Sequence, residues 1–166
     1  MIVCIDPAVS PAGGTGLAWF TEGGALYHAM LLRPVRGVPD VAERIRATLD
    51  SVDLFRQSTP ALCLVEWPQI YADSPVNPNH LLGLAGVAMA IVMQIKPSHV
   101  HSVLPREWKG TLDGAVMAAR IEGRLTPEEI ARIEPCPKSL RHNVLDSIGI
   151  GLWYFKRLDR KRVFRR

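Results

Sequence analysis

The sequence is poor in cysteine, with only Cys4, Cys63 and Cys136 and no Cys-x-x-Cys spacing. An odd, scattered set argues against a disulfide framework or a thiolate metal cluster, and for reduced thiols in a cytosolic compartment. No apolar run reaches membrane-spanning length without interruption. The most apolar stretch, Leu81 to Ile95, is broken by Gly83 and Gly86 and reads as a core helix, since a span needs about 20 apolar residues. The opening MIVCID has no basic stretch and no cleavage pattern, so no export signal is expected. Internal repeats and low-complexity linkers are also missing.

What remains is one domain's worth of chain. Its 166 residues are 48% hydrophobic and 22% charged, enough for a real core and too few for two ordinary domains. The net charge of +4 is unevenly spread. Seven basic residues (Lys156, Arg157, Arg160, Lys161, Arg162, Arg165, Arg166) and one acid fall between 156 and 166, leaving the first 155 residues at a net of −2. The reading is a single-domain body, 1–155, followed by a basic tail, 156–166, suited to nucleic-acid phosphates. A solubilising end is the alternative.

Hydrophobic patterning predicts strands at Ile2 to Asp6, Thr15 to Phe20, Ala25 to Leu32, Ala61 to Trp67 and Ser98 to Leu104, the second and third joined by the hairpin signal Thr21-Glu22-Gly23-Gly24. Helical spacing is predicted from about Pro39 to Gln57, from Asn79 to Ile95, in two short pieces between 115 and 133, and from Ser139 onward. PREWKG reads as a polar turn. Three hairpin-connected strands followed by helix-connected ones predict an α/β domain: a ribonuclease H-like, five-stranded mixed sheet flanked by helices.

Three acids break apolar elements. Asp6 ends the first strand, Glu66 interrupts the fourth, and Asp146 lies inside the last apolar helix, RHNVLDSIGIGLW. A carboxylate on such a face costs several kcal/mol unless it is paired. Parallel strands bring their ends to one sheet edge, and a helix laid across it can add a third acid. Converging carboxylates raise one another's pKa, a conflict that hard divalent cations such as Mg²⁺ resolve. Two such ions about 4 Å apart support in-line attack on a phosphodiester. The plainer alternatives are a turn-starting role for Asp6 and pairing of Asp146 with Arg141 or Lys138.

In order and spacing, IDPAVSPAGGTGLAWF, CLVEWPQIY, NPNHLLGLAGVAMAIV, LPREWKGTLDG and RHNVLDSIGIGLW resemble the RuvC family of Holliday junction resolvases, from about Ile2 to Phe155. The resemblance implies a homodimer that cuts opposed strands of a four-way DNA junction using Mg²⁺, with Mn²⁺ able to substitute. It also suggests a divergent, bacteriophage-type branch working in bacterial cytoplasm. By position, Asp6, Glu66 and Asp146 match three of the family's four acidic metal ligands. The fourth slot holds Asn143, with His142 one residue earlier. Both share a helix face with Asp146; His142 is the favoured fourth group, as ligand or proton donor, and Asn143 as a neutral oxygen ligand is the alternative.

Lys109 and Arg120 match basic positions that hold scissile-strand phosphates. Trp67 or Tyr71 is expected to supply the aromatic contact at the junction centre, because Gln69 stands where the family often has phenylalanine. Lys156, Arg157, Arg160, Lys161 and Arg162 complete the expected DNA contacts. A branch or flap debranching nuclease and an inactive DNA-binding protein remain the alternatives.

Overall fold

All five residues of Ile2–Asp6 are buried, and a strand buried on both faces belongs mid-sheet with cover on either side. That is the place of β1 (Ile2–Asp6) in the computed structural model, which describes residues 1–10, 12–33, 40–52, 59–69 and 78–158. β2 (Thr15–Phe20) and β3 (Leu26–Leu32) extend the sheet antiparallel on one side. β4 (Leu62–Glu66) and β5 (His99–Val103) extend it in parallel on the other, giving the order β3-β2-β1-β4-β5. The five-stranded mixed sheet flanked by helices is the expected one, with β3, β4 and β5 a residue shorter at one or both ends.

Alternation along the strands sends side chains to two separate cores. On one face Val3, Ile5, Cys63 and Val65 meet Val87, Ala88, Ile91 and Val92 of α2 (Pro78–Ile95), with α1 (Val41–Val52) packed beside it. On the other, Cys4, Phe20 and Leu64 meet Val144, Leu145 and Ile148 of α6 (Arg141–Tyr154). Each fully buried aliphatic side chain contributes about 1.5–3 kcal/mol, so the two cores hold the sheet from both sides. The predicted end of the first helix, near Gln57, lies outside the described residues.

PREWKG is a correction: Pro105–Trp108 forms a single helical turn, α3. Pro105 sits at the first helical position and the Glu107 carboxylate accepts the Leu104 N–H at 2.6 Å, start signals that outweigh the segment's polarity. The two short pieces are α4 (Gly114–Glu122) and α5 (Pro127–Ile130), and a turn of 3₁₀ helix, Lys138–Leu140, leads into α6.

The packed chain runs past 155. Leu158 is buried, and Arg157 is locked inside the protein. The Arg157 guanidinium donates to both carboxylate oxygens of Glu129, at 2.7 and 2.8 Å, and to the carbonyls of Gly24 and Arg124. Glu129 also accepts the Leu26 N–H at 2.8 Å. Burial alone would raise its pKa, but Arg157 and the backbone N–H groups of Leu26 and Thr126 outweigh that and hold it down at about 2. Arg120 likewise donates to the Leu158 carbonyl, at 3.1 Å. Two arginines expected on DNA thus make hydrogen bonds within the fold, where the planar guanidinium fork of Arg157 serves a carboxylate and two carbonyls at once. Arg160, Lys161 and Arg162 lie outside the described residues.

Candidate active site

β1 and β4 run parallel with Ile5 opposite Val65, so their last residues, Asp6 and Glu66, emerge side by side at one sheet edge. Both follow core residues of the α6 face, Cys4 and Leu64, and so point toward that helix. Gly16 lies opposite Asp6 in the β1–β2 register. A methyl group on Gly16 would overlap the Asn143 backbone, and this close approach seats α6 against the strand one turn before Asp146. Asn143 strengthens the seat, its side-chain amide donating to the Gly14 carbonyl at 2.6 Å.

β5 ends at the same edge and delivers α3. Trp108 is buried, and its indole N–H donates to Glu66 Oε2 at 2.7 Å. Its ring fits against Gly149 of α6, where a side chain of any size would collide with it. Lys109, the next residue, answers the question of Asp146: its Nζ lies 2.8 Å from Asp146 Oδ2. Neither Arg141 nor Lys138 is that partner; Arg141 pairs with Glu122. Trp108 was missed in the sequence, though an apolar ring inside an otherwise polar turn was the available signal.

The three acids and Lys109 act on one another electrostatically. Asp6 is buried, and no donor among the described residues hydrogen-bonds its carboxylate. Burial first, then the charges of Glu66 and Asp146, push its pKa well above the usual carboxylate range, with Lys109 offsetting part of this. Glu66 is raised as well, by burial, against the opposing Trp108 hydrogen bond and Lys109 charge. Burial disfavours the Lys109 charge, yet its bond to Asp146 and the three carboxylates outweigh that and raise its pKa.

The remaining candidates are dispersed. His142 is exposed in the first turn of α6, while Asn143 is buried behind it. Trp67 is half-buried, its backbone N–H donating to Val103. Lys156 is exposed, and Tyr71 lies outside the described residues. Three carboxylates are the donor chemistry that a hard divalent ion takes. Among the described residues, however, no three His, Cys, Asp or Glu side chains are gathered to hold an ion, and two of the three carboxylates are engaged by α3. The donor types fit such an ion, and in this arrangement Asp146 is held by Lys109.

Solved structures share this fold. A Thermus thermophilus RuvC structure superposes with a TM-score of 0.58 at 20% identity, covering 93% of each chain. The chain has the RuvC fold. T. thermophilus RuvC in complex with Holliday junction substrate gives 0.58 at 21% identity, over 93% of this chain and 92% of that one. The yeast mitochondrial Holliday junction resolvase Ydc2 gives 0.50 at 13%, over 98% and 82%. No protein-family model and no curated protein matches the sequence. The RuvC fold is thus reached through backbone geometry across a wide sequence distance. No helix among the described residues is long and apolar enough to cross a membrane.

Proposed function

We propose that this protein is a Mg²⁺-dependent, structure-selective endodeoxyribonuclease that resolves four-way DNA junctions. The observation that carries the reading is the convergence of Asp6, Glu66 and Asp146 at one edge of a RuvC-fold sheet. Asp6, Glu66 and Asp146 would hold Mg²⁺, or Mn²⁺ in its place. The ions' chemistry is to activate water and neutralise charge at the phosphodiester under attack. His142, exposed beside this edge, is the candidate for the fourth group, acting as a ligand or as a proton donor to the leaving oxygen. Lys109 is the phosphate contact nearest the acids. The test is incubation with labelled four-way, flap and duplex DNA, with and without Mg²⁺. Paired cuts in the junction only with Mg²⁺ support the reading. Faster cutting of flaps would favour a debranching nuclease, and junction binding without cleavage an inactive binder.

A homodimer belongs to this reading, because paired cuts need two sites facing opposed strands. The α2 helix supports it: one side fills the core, while Leu82, Met89 and Met93 form a stripe on the other, with Leu82 71% and Met93 69% exposed. Leu82→Glu and Met93→Glu should each convert a dimer into an 18.4 kDa monomer by light scattering, with little change in melting temperature. A wild-type monomer at micromolar concentration, with and without junction DNA, would refute the dimer.

The basic residues beyond Leu158 are proposed as phosphate contacts. Deleting 159–166 removes Arg160, Lys161, Arg162, Arg165 and Arg166 and leaves the Arg157 anchor in place. The slope of log affinity against log salt should fall by up to about 4, alike for junction and duplex. An unchanged slope means that the tail is not on DNA.

A further inference from the structure

Lys109 occupies an unusual position. Its Nζ sits 2.8 Å from Asp146 with the lysine side chain 26% and the aspartate 15% exposed, and its charge also acts on Asp6 and Glu66. A monovalent cation on a flexible stem thus stands against Asp146, within electrostatic reach of the other two carboxylates. It also occupies an oxygen that a divalent ion would need. The two α3 neighbours differ in freedom. Trp108 is buried against α6 and holds Glu66 in place. Lys109 ends the helical turn and is followed by Gly110 at φ +65°, with open space around it. The lysine can therefore swing out by side-chain rotation while the strands stay fixed. Its ammonium already lies 5.3 Å from the Trp108 ring centroid, a favourable surface once Asp146 is released.

We propose that Lys109 is a displaceable counter-ion: it neutralises the carboxylate cluster while no divalent ion is bound, and metal entry expels it from Asp146 to become a phosphate contact. The proposal rests on the metal-dependent reading above and adds to it. Metal loading and release of the phosphate-binding lysine become one event. By linkage, metal then strengthens DNA binding and DNA strengthens metal binding by the same factor.

The test is Mn²⁺ calorimetry on the full-length protein without DNA, comparing wild type, Lys109→Met, Asp146→Asn and Arg106→Met. Arg106 is an exposed neighbour on α3, so its variant controls for the change in net charge. Lys109→Met should bind Mn²⁺ about fivefold tighter or more, the scale of ordinary site-to-site coupling, and Arg106→Met should match wild type. In the wild-type protein, Mn²⁺ should raise the reactivity of Lys109 toward an amine-acylating reagent, mapped by mass spectrometry, by a comparable factor. That arm needs no variant to fold. If wild type binds Mn²⁺ through Asp146, yet Lys109→Met binds no tighter and Lys109 reactivity ignores Mn²⁺, the lysine is a fixed partner and the proposal is wrong. If wild type binds no Mn²⁺ at all, the metal-dependent reading fails with it.

Discussion

Replacing Asp146 by Asn should slow junction cleavage by about 10³-fold or more while leaving junction affinity within a few-fold of wild type. On the proposed reading Asp146 would hold the ion that stabilises charge at the phosphate, and its loss would remove several kcal/mol of transition-state stabilisation. Affinity comes mainly from basic residues on phosphates, which this change leaves in place. The stability effect should separate Asp146 from Asp6. Asp146→Asn leaves the half-buried Lys109 ammonium without its partner and should cost about 1–2 kcal/mol. Asp6 is repelled by Glu66 and Asp146 and holds no hydrogen bond from the described residues, so Asp6→Asn should stabilise the metal-free protein by about 1 kcal/mol while also abolishing cleavage. Cleavage time courses, gel-shift titrations and thermal melts on the two variants check all of this. Wild-type cutting by Asp146→Asn would remove it from the site.

The largest stability loss is expected at Arg157. Arg157→Ala strands the Glu129 carboxylate, only 6% exposed, and leaves the Gly24 and Arg124 carbonyls without their donor. Breaking one side of a buried pair costs about 3–5 kcal/mol, which corresponds to a melting temperature lower by about 10 °C for a domain of this size. The pair also sets an acid limit. The Glu129 pKa is depressed from 4.5 to about 2, so its contribution is fully present above about 4.5 and lost as pH falls through 2. Over that window wild type should lose about 3 kcal/mol from this group, and Arg157→Ala much less. Denaturant titrations from pH 5 to pH 2 measure the difference. Below its melting temperature, Arg157→Ala should keep the wild-type salt slope for DNA, since the guanidinium is spent inside the protein.

The sheet was legible because its strands are apolar runs with clear turn signals: IVCID, TGLAWF and LCLVE have no competing helical period. The acids were legible for the converse reason, each being a charge where the pattern calls for an apolar residue. What the sequence hid were partners brought together by folding. Nothing local to Asp146 points to Lys109, 37 positions away. Arg157 read as one of a run of surface cations, and only the buried Glu129, 28 positions earlier, makes it an anchor. Charge patterning reports how many cations a segment has and says nothing of which ones face inward.

The reach of the pocket along the chain has a consequence for biosynthesis. Asp6 and Glu66 emerge early, but Asp146 arrives on α6, the helix that also covers Cys4, Phe20 and Leu64. A chain still on the ribosome with α6 in the exit tunnel has a bare sheet face and an incomplete set of acids. Contacts spanning some 140 positions are also the slowest to close. The set of three acids is therefore completed by the last helix among the described residues, and on the proposed reading a copy still lacking that helix has no complete site with which to cut DNA.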